Sequence, residues 1–159
     1  MLTAKERQEK IGAIRRLPDQ IEAAIKGLND LQLDVPYREG GWTIRQVVHH
    51  LADSHMNAFV RTKLILTEDH PLLKPYDQDA WAKLPDTLRT PIGCSLAIVR
   101  GIHERWVVLL EQVPEKGWAR VARHPERGDM TLEDILITYS GHGEKHVGHV
   151  KGLRVAKGW

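Results

Sequence analysis

The sequence predicts an all-α protein, a four-helix bundle of the antiparallel type with one long crossover connection. Apolar residues recur at helical spacing through four substantial segments, which is the main observation behind this prediction. Each long segment follows a threonine that suits a helix N-cap. Residues 70–90 separate the second and third segments and contain three prolines, so we expect them to cross the bundle without a long helix.

The first helical segment is predicted to begin at a capping box of Thr3 and Glu6 and to run to about Arg16. Pro18 lacks a backbone N–H, so we expect it to break or kink the helix. A second piece is predicted from Pro18 to about Leu28, because its apolar residues keep the helical spacing.

Residues 34–41 are mostly polar, contain one proline and two glycines, and are predicted to form a loop. Thr43 is the expected N-cap of a long helix that runs to about Thr67 with one apolar stripe. Within the crossover that follows, a short helix is predicted over residues 77–84.

Thr90 and Pro91 match an N-cap followed by proline at the first helical position. The third long helix is therefore predicted to begin there and to reach about Val113. Residues 114–130 are expected to be irregular, with a short extended stretch around Val121. The sequence shows no internal repeat or linker, so we expect the whole chain to form one domain.

The last helix is predicted to begin after Thr131, and it carries three histidines within eight residues, His142, His146 and His149. Residues four apart lie one turn up the same face, a rise of about 6 Å, so His142 and His146 can reach one ion together. His149 lies about 10 Å along the axis from His142, too far to share that ion on an unbroken helix. The spacing predicts either a metal-binding pair or a run of surface or core histidines.

His142 and His146 fall inside the apolar stripe of the last helix, not on its solvated side. Buried neutral imidazoles need hydrogen-bond partners, and coordination of one metal would satisfy both rings. Gly141, Gly143 and Gly148 each cost a helix about 1 kcal/mol relative to alanine. We expect them to permit close approach of another helix or a ligand. A frayed helix end with solvated histidines is the alternative.

A third ligand has to come from another helix, and three protein ligands with open positions are typical of a catalytic metal site. The candidates on the second and third long helices are His49, His50, Asp53, His55 and His103. His55 lies in the middle of its apolar stripe, whereas His50 lies roughly 120° away on the flank. Periodicity alone favours His55 or His103, although either is also typical of a satisfied core histidine.

The composition is that of a soluble globular protein, with 42% hydrophobic and 28% charged residues. The formal net charge is +2 and no basic block is present, so nucleic acid is not a predicted partner. The N-terminus lacks the apolar core of a signal peptide, and no apolar run approaches a membrane span. One cysteine, Cys94, excludes an internal disulfide and suits a reducing compartment. A cytoplasmic protein is therefore expected.

Residues 40–57, which run from Gly-Gly-Trp-Thr to His-Met-Asn, resemble the second helix of the DinB/YfiT-like proteins, specifically of the YfiT branch. Further stretches match the same branch: residues 66–69, 74–81, 103–106 and 139–150. The similarity covers nearly the whole chain, and the first block is long enough to be specific.

The resemblance implies a four-helix bundle in up-down-down-up order and a metal ion held by three histidines. On this sequence they are His50, directly before Leu-Ala on the second helix, and the pair His142 and His146. The resemblance thus favours His50 over His55, because a flank position can face the groove between two helices. The expected cofactor is one divalent ion, zinc first, with nickel also suited to three imidazoles and iron or manganese still open.

The resemblance also implies an enzyme acting on a small molecule. One possibility is a metal-dependent hydrolase, and the other is an S-transferase that joins a low-molecular-weight thiol, bacillithiol, to an electrophile. Three neutral ligands leave an ion its full charge, and this charge acidifies either a bound water or a bound thiol. The site alone therefore does not separate the hydrolase from the S-transferase. A homodimer is implied as well. A non-catalytic metal-binding or stress-response protein and a bundle with purely structural histidines remain alternatives.

Two further residues are candidates for catalysis. Asp53 lies one turn from His49 and His50 and could accept a proton from a ligand imidazole, or it could be an ordinary exposed helix carboxylate. His149 could act as a general base or bind substrate, because the usual pKa of histidine suits both tasks. A solvated surface histidine is its alternative.

Overall fold

The computed structural model describes residues 1–159 and contains four long helices. These are α1 (Ala4–Ile25), α3 (Ile44–Thr67), α6 (Gly93–Glu111) and α7 (Leu132–Lys157). The connections hold α2 (Asp30–Leu33), α4 (Gln78–Trp81), α5 (Pro85–Arg89), a 3-10 turn (Glu115–Gly117), and strands β1 (Val121–His124) and β2 (Gly128–Thr131). None of the helices combines the length and the apolar character needed to cross a membrane.

Three of the long helices begin where their threonine caps predict. Thr3, Thr43 and Thr131 each accept a hydrogen bond from the backbone N–H three residues later, and the side chain at that position accepts one from the backbone N–H of the threonine. These capping boxes satisfy backbone donors that have no partner within the helix. Local sequence therefore determines the starts of α1, α3 and α7.

Helices α1 and α7 lie side by side and run in the same direction. At their starts, Arg7 Nε lies 3.3 Å from Glu133 Oε1. At their ends, Arg154 Nη1 donates to the carbonyl oxygen of Ala24 at 2.9 Å. Contacts between start and start and between end and end require parallel axes.

Helices α3 and α6 form the second parallel pair. His49 contacts Ser95 near the two starts, and Trp106 Nε1 donates to Thr62 Oγ1 at 3.0 Å further along both helices.

The two parallel pairs run in opposite directions. Arg61, late in α3, donates to Tyr139, early in α7. Arg100, early in α6, pairs with Asp19, late in α1. The order is therefore up-down-down-up, as the resemblance implies.

Pro18 does not end the first helix, contrary to the prediction of two separate pieces. Helix α1 is continuous through Pro18. A proline at this position leaves the carbonyl of Ile14, four residues earlier, without its helical donor. His103 Nδ1 donates to that carbonyl instead, at 2.6 Å, so a tertiary hydrogen bond replaces the missing backbone one.

The predicted start of the third long helix was also wrong. Helix α6 begins at Gly93, and Thr90 is the C-cap of α5. Of the short helix predicted over residues 77–84, only Gln78–Trp81 (α4) is helical, and α5 follows as a separate helix. Leu84 is extended (φ −69°, ψ 153°), because a residue before proline disfavours the helical region, and Pro85 then starts α5.

Residues 114–130, predicted to be irregular, contain most of an antiparallel hairpin. β1 pairs with β2 in a register that sets Ala122 opposite Met130. Arg123 also exchanges backbone hydrogen bonds with the crossover, from its N–H to Pro71 and from Leu73 to its carbonyl. Strands of four residues are too short for periodicity to predict, so only the extended stretch around Val121 was foreseen.

One of the three singled-out glycines permits a close helix contact. A Cβ on Gly143 would lie 2.5 Å from Leu17 Cδ2 of α1, and Leu17 is itself buried. Gly141 and Gly148 have no neighbouring atoms within 4 Å of such a Cβ. The packing of α7 on α1 therefore depends on Gly143 alone among the three.

Replacing Gly143 by alanine should destabilise the fold. The added methyl would crowd Leu17, at a cost of about 1–3 kcal/mol that exceeds the helix-propensity gain of about 1 kcal/mol. Gly152, also in α7 but facing open space, is the matched control, and Gly152→Ala should gain stability. Urea unfolding of the metal-free proteins measures both changes. Equal stabilisation by the two alanines would contradict this packing.

Candidate metal centre

Three imidazoles converge between α3 and α7, and we call His50, His142 and His146 the three-histidine cluster. Their ligand nitrogens all lie within 4.8 Å of one another. The Nε2 atom of His142 is 3.1 Å from that of His50 and 3.2 Å from that of His146. The four-residue spacing aligns the two α7 rings, and the antiparallel packing of α3 brings His50 to them.

The cluster has the size and the chemistry of a divalent metal site. Metal–nitrogen bonds of 2.0–2.1 Å in a tetrahedron separate the nitrogens by about 3.3 Å, close to the two short distances observed. Burial, with a smaller contribution from neighbouring histidines, lowers the pKa of each ring to about 3. The rings are therefore neutral at pH 7, and nitrogen lone pairs converge where a cation would stabilise them.

The structure places His50 in the cluster and leaves His55 and His103 out of it, which supports the ligand implied by the resemblance over those favoured by periodicity. His55, in the middle of the α3 stripe, lies between α6 and α7, whereas His50 on its flank reaches the Nε2 atom of His142. His55 Nε2 contacts His142 Nδ1 at 3.1 Å, and His103 Nε2 contacts His55 Nδ1 at 2.9 Å. We call His142, His55 and His103 the histidine row.

His49 is a satisfied core histidine. Its Nδ1 lies 2.7 Å from Ser95 Oγ, and its Nε2 donates to the carbonyl oxygen of Thr90 at 3.1 Å. Both partners lie in or just before α6, so this ring ties the second and third long helices together. It has no contact that would direct a nitrogen to the three-histidine cluster.

Trp42 covers one side of the cluster. Its ring lies edge-on to His50, with centroids 4.6 Å apart, and nearly parallel to His146 at 6.3 Å. Trp42 Nε1 donates to Asp79 Oδ1 at 3.0 Å, which anchors the indole to the crossover. An apolar wall of this kind limits the access of water to the rings on that side.

A cleft of about 110 Å³ opens beside His142 and not beside the other two rings. Its 13 lining residues include Arg61, Arg127 and His124, and its one carboxylate is the exposed Glu126. Neither arginine forms an ion pair with a carboxylate; Arg61 donates instead to Tyr139 and to a backbone carbonyl. A small molecule in this cleft would therefore lie against His142 and two free positive charges.

Asp53 and His149 lie near the cluster without joining it. Burial raises the pKa of Asp53 to about 6, with a smaller contribution from Asp86, and its carboxylate accepts no hydrogen bond from a ring. His149 stacks on Tyr37 at 4.2 Å and presents its ring to His146 at 5.4 Å. Burial lowers the pKa of His149, so it is neutral at pH 7.

The family profile described as the DinB superfamily matches residues 13–150. The chain belongs to this superfamily. Its fold is close to that of YfiT from Bacillus subtilis, described as a probable metal-dependent hydrolase with an unusual four-helix bundle topology. The TM-score is 0.97 and the identity 39%, over 100% of this chain and 91% of that one. A second four-helix bundle protein, TT2238, shares the fold alone, at 18% identity and a TM-score of 0.56.

Sequence relatives carry the same description. A protein of Geobacillus kaustophilus named "putative metal-dependent hydrolase" is 50% identical over 98% of this chain and 88% of its own length. A protein of Bacillus cereus with that name is 44% identical over 94% of this chain and 86% of its own. The chain thus has a three-histidine cluster and a YfiT-type fold, and the relatives described above are named as metal-dependent hydrolases.

Removal of one cluster histidine should abolish metal-dependent stabilisation. A zinc or nickel ion at a hundred times its Kd stabilises the native state by about 2.7 kcal/mol, which raises Tm by about 5–10 °C. The rise should disappear in His50→Ala. It should persist in His70→Asn, which removes an exposed histidine of the crossover. Thermal unfolding with and without metal measures this, and an undiminished rise in His50→Ala would refute the site.

Proposed function

We propose that this chain is a metal-dependent enzyme that hydrolyses a small molecule bound in the cleft beside His142. The observation that carries the proposal is the convergence of His50, His142 and His146 next to a cleft that only one of them borders. Zinc is the expected ion and nickel the next, because both suit three imidazoles. The names of the relatives support the hydrolytic activity.

The donor set defines the chemistry. When bound, a divalent ion here supplies a Lewis acid that acidifies a water and polarises a substrate carbonyl. The three rings are neutral and so leave the positive charge of the site undiminished. Arg61 and Arg127 add positive charge on the substrate side, where negative charge develops as a carbonyl is attacked.

Asp53 and His149 are our candidates for proton transfer. The pKa of Asp53, raised to about 6, lets this carboxylate both accept and release a proton near neutral pH. It adjoins Ser54, which lines the cleft. His149 is neutral and lies against His146, so it can accept a proton at the outer side of the cluster.

A second candidate activity, transfer of a low-molecular-weight thiol such as bacillithiol, is favoured by the lining of the cleft. Arg61 and Arg127 line it without ion pairs, and nearby positive charge favours the thiolate over the thiol. The thiolate is the form that attacks an electrophile. Its sulfur would form the new carbon–sulfur bond as chloride leaves a chloro-aromatic or as an epoxide opens and takes up a proton.

Turnover by the metal-loaded protein should identify the activity. We expect hydrolysis of an ester or amide without thiol, or, for the second candidate, conjugation of a thiol to a chloro-aromatic or epoxide. Loss of a metal ligand should reduce kcat/KM by at least about 100-fold in His50→Ala, the upper end of losses seen for outer-shell partners. His70→Asn should retain activity.

Metal binding without turnover of either kind would contradict both candidates and favour a metal-binding or stress-response protein. Turnover that survives in His50→Ala would place the chemistry elsewhere in the molecule.

A further inference from the structure

The histidine row extends from the three-histidine cluster to the backbone of α1. His142 Nδ1 lies 3.1 Å from His55 Nε2, His55 Nδ1 lies 2.9 Å from His103 Nε2, and His103 Nδ1 lies 2.6 Å from the Ile14 carbonyl oxygen. His55 is 0% exposed and His103 is 1% exposed. Two fully buried rings thus connect a cluster histidine to one backbone acceptor.

The carbonyl at the end of the row determines the direction of every hydrogen bond in it. A carbonyl oxygen only accepts, so His103 carries its proton on Nδ1 and leaves Nε2 bare. His55 must then donate from Nδ1 to that bare nitrogen, which leaves its own Nε2 bare. His142 must in turn donate from Nδ1, so the lone pair of its ring is on Nε2, the atom that faces His50 and His146.

The opposite direction is energetically unfavourable. If His55 donated from Nε2 to His142, its bare Nδ1 would face the bare Nε2 of His103 at 2.9 Å. Avoiding that contact would require a second proton on His103 and therefore a buried imidazolium, and no carboxylate is hydrogen-bonded to either ring. Both arrangements leave a buried polar or charged group uncompensated.

Pro18 explains why the acceptor is available. In an ordinary helix the carbonyl of Ile14 would receive the N–H of residue 18, but proline has none. The carbonyl is therefore free to accept from His103 across the α1–α6 contact.

We propose that His55 and His103 are positioning residues that hold His142 in the Nδ1–H tautomer and so direct its Nε2 to the metal. This role in directing a ligand depends on the proposed metal site, whereas the tautomer itself does not. Histidine ligands usually donate their second N–H to a carboxylate, a backbone carbonyl or a water. Here the partner is a neutral imidazole, so it orients His142 without adding negative charge beside the ion.

Nitrogen-15 NMR of the metal-free protein tests the tautomer directly. With labelled imidazoles at pH 7.5, the long-range couplings should show His142, His55 and His103 all protonated on Nδ1. An Nε2–H tautomer, or a mixture, at His142 in the wild-type protein would overturn the proposal. This measurement needs neither metal nor turnover, so the tautomer can hold even if the proposed enzyme activity fails.

Variants at position 55 separate positioning from folding. His55→Leu should allow a mixture of His142 tautomers and weaken zinc binding by about 10–100-fold, as expected for the loss of an outer-shell partner. His55→Gln, whose carbonyl oxygen can accept from His142 Nδ1, should recover most of both. Equal zinc affinity in wild type and His55→Leu would overturn the proposal.

His49→Leu is the matched control, because it also removes a buried α3 histidine with two hydrogen bonds. It should lower the free energy of unfolding while leaving the His142 tautomer and the zinc affinity unchanged. If His49→Leu lost as much zinc affinity as His55→Leu, general destabilisation would explain the effect of His55→Leu. That result would contradict a positioning role.

Discussion

The contact between α3 and α7 is the constraint on which the site depends. His50 and His142 are 92 residues apart in sequence, yet their Nε2 atoms lie 3.1 Å apart across this antiparallel contact. Neither helix can assemble the three-histidine cluster alone, since α7 supplies two rings and α3 the third. Any change that separates the two axes would therefore move His50 away from the two rings on α7.

Helix α1 contributes no cluster histidine, but it packs against α7 and accepts the last hydrogen bond of the histidine row. Gly143 lets α7 approach Leu17 closely, and Pro18 frees the Ile14 carbonyl that ends the histidine row. Both residues are unfavourable inside an isolated helix. In this bundle each is matched by a tertiary contact near the cluster, which connects the irregularities of the sequence to the orientation of one ring, His142.

Caps and four-residue spacing are local signals, so the sequence predicts the starts of α1, α3 and α7 and the alignment of His142 with His146, although the N-cap expected at Thr90 was wrong. Periodicity does not single out His50, because this residue lies on the flank of the apolar stripe of α3. The continuity of α1 through Pro18 could not be predicted from the local sequence either, because the donor that replaces the missing N–H, His103, is 89 residues from Ile14. The resemblance to a family supplied His50 where the pattern alone favoured His55.

X-ray absorption at the metal edge of the loaded protein, with the wild type beside His50→Ala, tests the central claim most directly. We predict three imidazole nitrogens at about 2.0–2.1 Å and at least one further light atom from outside the protein, with one imidazole fewer in His50→Ala. A fourth protein ligand would close the site to any substrate. An unchanged spectrum in His50→Ala would show that the ion binds elsewhere and would contradict the account.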